Sequence, residues 1–114
     1  MTEFDLLLNV PDHPSLESVA GQVRRAEALG FDRVSSGETT DWNLAVSLAI
    51  LAERTDRIGL SNDVFSPYSR SPALIGQTAA ALQAASDGRF RLGLGTSSPA
   101  LAESWHGAAF DRPL

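Results

Sequence analysis

The stretch Gly88–Ser98, GRFRLGLGTSS, decides how the rest of the chain is read. Phe90, Leu92 and Leu94 alternate with Arg91, Gly93 and Gly95, the period of two expected of a strand with one apolar face. The other face carries two glycines, which weaken a strand unless something approaches its backbone closely. Two occupants meet that requirement: a flat ligand ring, or a neighbouring strand or bulge. Thr96, Ser97 and Ser98 follow at once, then Pro99 and a helical run. A strand that ends in a polar turn entering a helix is where α/β proteins place phosphates and polar ligand groups. The same hydroxyls also suit a plain helix cap.

Outward from this stretch, strands and helices alternate. Phe4 to Val10 reads as a first strand, and its unbroken Leu6, Leu7 and Leu8 suggest burial on both faces. Ser15 caps a first helix, Glu17 sits in its first turn, Leu16, Val19, Val23 and Ala26 share a face, and Gly30 closes it. Phe31 to Ser36 is a second strand, and Asp41 or Thr40 is expected to cap a second helix carrying Leu44, Leu48 and Leu51. Arg57 to Val64 is a third strand. Ser71 caps a third helix with Pro72 at its first position, and Asp87-Gly88 ends it. Ala79 to Leu82 and Ala85 give that helix a smooth face able to lie close on a sheet.

The strands start near residues 4, 31, 57 and 89, the rhythm of βα units in a parallel α/β fold. An eight-fold barrel of about 250 residues devotes about 31 to each unit. A doubly wound nucleotide-binding sheet fits worse. Its glycine fingerprint belongs in the first βα turn, which here is Val10-Pro11-Asp12-His13, and Ser98 stands where the third glycine of Gly93-Leu94-Gly95 would be needed.

A chain of 114 residues is one domain, residues 1–114, and 43% hydrophobic content is ample for a core. There is no cysteine, so neither disulfides nor thiolate chemistry is available. The net charge of −5 is spread along the sequence, and no run of Lys or Arg suggests nucleic acid as a partner. The N-terminal apolar run is only Leu6 to Leu8, too short for a signal peptide or a membrane span. A soluble, cytoplasmic protein acting on a small molecule is expected.

In a parallel α/β fold, ligands collect beyond the carboxyl ends of the strands. Those ends are Asn9 to His13, Gly37 to Asp41, Asn62 to Arg70 and Gly95 to Ser98, and they hold nearly all the unusual polar residues. The opposite loops, near Gly30, Thr55 and Gly88, read as plain helix stops. Glu38 is the catalytic candidate: it suits an acid or base, a bond to a ring nitrogen, or a solvated loop carboxylate. Gly95, Thr96, Ser97 and Ser98 are the strongest binding candidates. Arg70 suits an anionic group or a surface ion pair. Trp105 reads as a packing residue, His106 as a surface or capping one and His13 as a solvated turn residue. With two histidines and no cysteine, no metal-ligand cluster is expected.

GRFRLGLGTSS, together with Ser104-Trp105-His106-Gly107 and the closing FDRPL, resembles the bacterial luciferase-like superfamily. It is most similar to the branch that uses the deazaflavin coenzyme F-420 and includes methylenetetrahydromethanopterin reductase. AEALGFDRV, ETTD, TDRIGL and SPYSRSPALIGQTAAAL extend the likeness along nearly the whole chain. The resemblance implies a TIM (β/α)8 barrel, of which this α/β chain holds the N-terminal half, about four strands with three to four helices. It implies an oxidoreductase passing a hydride between reduced coenzyme F-420 and a small organic substrate. An FMN-dependent monooxygenase and a non-catalytic fragment are the alternatives.

On the same basis Asn9, Thr39, Asp63, Val64, Gly95, Thr96, Ser97 and Ser98 form the cofactor-binding set. The Asp63–Val64 bond is either the match of the non-proline cis peptide that backs the ring in related enzymes or an ordinary trans loop bond, and Trp105-His106 falls near the substrate mouth of some relatives. The chain departs from the family at Thr39, where relatives often have histidine after the acidic residue. Threonine does not transfer a proton near neutral pH, so Glu38 is expected to act through hydrogen bonds. Half a barrel also leaves two strand edges open. The expected readings are the front part of a longer protein, a truncated product, or a unit that pairs with another copy, in that order.

Overall fold

The computed structural model describes residues 2–8, 15–38 and 41–113. Four parallel strands form one sheet in the order β1 (Asp5–Leu7), β2 (Arg33–Ser36), β3 (Gly59–Asn62) and β4 (Phe90–Arg91). Helices α1 (Leu16–Ala28), α2 (Leu44–Arg54) and α3 (Pro72–Ala85) make the crossovers, and a short π-helical turn, Ala100–Trp105, follows β4. The strands run in sequential order and the barrel is not closed. This is the parallel α/β arrangement that the βα rhythm implies, and the part of a barrel that the resemblance implies.

The caps follow the sequence closely. The Ser15 side chain accepts from the Ser18 N–H, Ser71 accepts from Leu74 with Pro72 behind it, and Gly30 takes a φ of 90° just past α1. The second helix differs. Asn43, not Asp41, caps α2 by accepting from the Val46 N–H, and Thr40 lies outside the described residues. An amide oxygen serves this role as well as a carboxylate does.

Strand register creates the core. Leu6, Val34, Leu60 and Phe90 stand side by side across the sheet and meet Val19, Val23, Leu44, Leu48, Leu51 and Leu82 of the helices. Full burial of each such side chain is worth about 1.5–3 kcal/mol, so this row holds the layers together. The next row, Leu7, Ser35, Ser61 and Arg91, lies on the face away from the helices. Leu7 is 70% exposed there, so the leucine run is not buried on both faces. Four strands provide no layer across that face. The expected apolar face of the fourth strand holds only at Phe90, because the regular ladder ends at Arg91, and Leu92 and Leu94 are exposed.

The end of the sheet where the strands begin is more than a set of helix stops. The Glu27 carboxylate accepts from the backbone N–H groups of Asp56, Arg57 and Ile58, tying the end of α1 to the entry of β3. Arg89 donates to the carbonyls of Ala52, Thr55, Ile58 and Ser86 and to the Thr55 hydroxyl, at 2.7–3.1 Å. One guanidinium thereby satisfies the orphan carbonyls at the ends of α2 and α3. Nor is positive charge spread evenly once the chain folds: Arg33, Arg57, Arg89 and Arg91 line one concavity at this end. Arg89→Met should lower stability by about 3 kcal/mol by leaving these carbonyls unpaired; a urea midpoint unchanged from the parent chain would contradict the assigned role.

Candidate functional site

The carboxyl ends of the strands carry the polar cluster. Glu38 leaves β2 and its carboxylate accepts from the Leu44 N–H at 2.9 Å, an additional partner for the first turn of α2. Both its oxygens also accept from Arg70, one of them at 2.7 Å from Nη2, in a fork-on-fork pair. The side chains are only 12% and 8% exposed, so Arg70 forms a buried pair rather than the surface one expected. Its guanidinium carbon lies 4.2 Å from the ring centre of Phe65, itself fully buried.

Burial pushes the Glu38 carboxyl up, but the hydrogen bonds from Arg70 and Leu44 and the charges of Arg70 and His106 outweigh it. The group is held below its ordinary value of 4.5. It is therefore an ionised anchor at neutral pH and not a proton donor.

Beyond β3, the peptide Asp63–Val64 is cis, the alternative that matches the resemblance. Asn62, fully buried, clasps the next strand: its Nδ2 donates to the Gly93 carbonyl at 2.7 Å and its Oδ1 accepts from the Gly93 N–H at 3.0 Å. A Cβ on Gly93 would overlap the Asn62 carbonyl oxygen, and one on Gly95 would come within 2.6 Å of a Val64 methyl. The two glycines are thus filled by the neighbouring strand, the second of the two occupants the sequence allows, rather than left bare for a ring. The seam continues through Phe65, which donates to the Gly93 carbonyl and accepts from the Gly95 N–H, and through Ser66, whose hydroxyl donates to the Thr96 carbonyl.

Ser97 adopts a φ of 62°, and Ser98 accepts from the Leu101 N–H, so it caps the π-helical turn. Among the described residues, the N–H groups of Thr96 and Ser97 donate to no backbone acceptor. Glu38, Val64, Ser66, Ser97 and His106 line one narrow cleft. Glu38, Arg70 and His106 also line an adjoining hollow of about 270 Å³ with Asp41, Trp42 and Trp105. Trp105 is 57% exposed on that hollow and is not a packing residue. Tyr68 ties residues 110–111 to the loop after β3, donating its hydroxyl to the Asp111 carbonyl and meeting Phe110 ring to ring at 4.8 Å.

Of the expected site residues, Glu38, Val64 and Ser97 meet in the narrow cleft. Asp63 is exposed, Gly95 and Thr96 lie behind it on the seam, and Ser98 serves the cap. Asn9 and Thr39 lie outside the described residues, as does His13. Sequence reading missed Asn62, and it missed Arg70 as the partner of Glu38. An asparagine at the carboxyl end of the third strand was the available signal for the first; nothing local pointed to the second.

The luciferase-like monooxygenase family profile matches residues 3–114. The chain belongs to the luciferase-like monooxygenase family. This luciferase-like chain is 36% identical over 92 residues to a Mycobacterium tuberculosis protein whose assignment as a coenzyme F-420-dependent oxidoreductase is provisional. That match covers 81% of this chain and 26% of the relative. It is 32% identical over 106 residues to the 5,10-methylenetetrahydromethanopterin reductase of Methanolobus tindarius, covering 92% of this chain and 32% of that enzyme. The solved coenzyme F-420-dependent tetrahydromethanopterin reductase of Methanopyrus kandleri superposes with a TM-score of 0.83 at 26% identity, over 95% of this chain and 30% of that one. The chain therefore spans about a third or less of the length of these relatives. Among the described residues, no helix is long and apolar enough to cross a membrane.

Two substitutions check this geometry. Gly93→Ala should cost about 3 kcal/mol through overlap with the β3 backbone, read as a lowered urea midpoint. Because the folded Glu38 carboxyl lies below 4.5, its pairing contributes stability that is full above that value and lost as pH falls through the lowered one. Arg70→Met should thus destabilise by about 3–5 kcal/mol at neutral pH. The gap from the parent chain should narrow below pH 4.5, and adding Glu38→Gln should recover part of the loss.

Proposed function

We propose that this chain is a single domain, the N-terminal half of a luciferase-like barrel. In the whole protein it supplies one side of the site of an oxidoreductase that passes a hydride between coenzyme F-420 and a small organic substrate. The observation that carries the reading is the narrow cleft that gathers Glu38, Val64, Ser66, Ser97 and His106 at the carboxyl end of the sheet. The relatives named for coenzyme F-420 support that cofactor over FMN.

The residue types on the cleft suit one wall and the polar edge of a deazaflavin, whose ring would extend beyond the cleft's own volume of about 10 Å³. The Val64 side chain offers an apolar wall, and the Ser97 hydroxyl, with the Ser97 N–H that donates to no backbone acceptor among the described residues, offers donors to the polar edge of a ring. Asp63, Gly95 and Ser98 hold that wall and those donors in place; Asn9 and Thr39, which follow β1 and β2 in sequence, belong to the proposed cofactor-binding set. When bound, the coenzyme supplies the hydride chemistry, and the protein supplies orientation and a water-poor surface. Glu38 acts through Arg70 and α2 as an ionised positioning group. His106 lies where the narrow cleft meets the wider hollow, with ring nitrogens able to hydrogen-bond a ligand there. Strands beyond the fourth, contributed by the remainder of a longer chain, cover the open edges.

Titration with coenzyme F-420 and with FMN, followed by ligand fluorescence, tests the reading. Saturable quenching by coenzyme F-420 that weakens in Ser97→Val is expected. Saturable binding of FMN alone would assign the monooxygenase branch, and no response to either would leave a non-catalytic fragment.

A further inference from the structure

The opposite end of the sheet carries a feature that hydride chemistry does not use. Arg33, Arg57, Arg89 and Arg91, with Asp32 and Gly59, line a concavity of about 370 Å³ where the strands begin. These arginines come from three separate places in the sequence, yet they converge in a chain whose net charge is −5. Among the described residues, Arg57, Arg89 and Arg91 form no ion pair with a carboxylate. Arg57 donates to the Glu27 carbonyl, and Arg89 donates only to neutral oxygens. Arg33 lies over Gly59, whose missing Cβ leaves room for its guanidinium. Its buried Nε has no hydrogen-bond partner and reaches Asp5 only at 4.0 Å. Asp32, the single carboxylate on the concavity, already accepts from the Phe4 N–H. A buried donor without an acceptor is costly, and clustered like charges repel, so a counter-anion would relieve both.

We propose that this concavity is an oxyanion site that takes a phosphate group, inorganic or carried by a small molecule. Guanidinium forks match phosphate oxygens in pairs, and a dianion can engage Arg33 and Arg91 together where a single carboxylate would leave charge uncompensated. The acidic remainder of the surface repels an extended polyanion, which favours a compact phosphate over nucleic acid.

Calorimetric titration of the chain with inorganic phosphate and with glycerol 3-phosphate, at fixed ionic strength in chloride, tests the site. Phosphate should bind and raise the thermal midpoint above that in chloride of equal ionic strength, and the two titrants separate the free from the carried form. Arg91→Gln removes an exposed side chain that bonds to no other described residue, so it should leave the fold intact while weakening binding about tenfold or more. Arg33→Gln should weaken it similarly. The Nε–H signals of Arg33 and Arg91 should move during the titration in the parent chain. Equal midpoints in phosphate and chloride, or an affinity unchanged in both variants, would overturn the assignment. Because coenzyme F-420 binds at the other end of the sheet in the functional reading, either result leaves that reading untouched.

Discussion

A carboxylate cannot be taken out of water without partners, and Glu38 shows how that constraint organises the upper end of this protein. Its oxygens are divided between the Arg70 guanidinium and the Leu44 N–H. One side chain therefore joins the exit of β2, the start of α2 and the loop after β3. Arg70 in turn lies on Phe65, so the loop is pinned to the core as well as to the charge. Such a pair adds little net stability over an apolar replacement, but removing either partner strands the other. Its contribution is to the position of the loops, and those loops carry the site.

The seam between β3 and β4 supplies the second constraint. Only two residues of β4 lie in the regular ladder, and the contact is continued by Asn62, Phe65 and Ser66 bonding to Gly93, Gly95 and Thr96. Glycine at positions 93 and 95 lets the neighbouring backbone and Val64 come close enough for those bonds. The closeness brings Val64 and Ser97 onto one cleft. Helix-facing leucines and valines hold the layers together, and the two ends of the sheet diverge in chemistry. Hydroxyls, Glu38 and His106 gather at one end, and arginines at the other.

Much of the fold was legible because its signals are local. Ser15 and Ser71 cap their helices, Gly30 ends the first, and Leu44, Leu48 and Leu51 share a buried stripe, each fixed by residues within a turn or two. Readings that needed a distant neighbour fared worse. Leu7 is apolar in a strand pattern yet exposed, since four strands leave one face without a packing layer. Trp105 is large and apolar, but the π-helical turn presents it to the hollow beside Trp42 and His106. The loops near Gly30, Thr55 and Gly88 read as plain helix stops because the partners that Glu27 and Arg89 find there lie about thirty residues away along the chain.

By itself the sequence determined the alternation of strand and helix, the caps, the family and the end of the sheet at which polar loops gather. Those properties follow from periodicity and from residue types at fixed short offsets. Tertiary structure alone decided that Glu38 is spent on Arg70, that the glycines receive a strand, and that four scattered arginines meet. Each of these depends on pairs brought together by folding, and a charge or a missing Cβ has no meaning in sequence until its neighbour is in place.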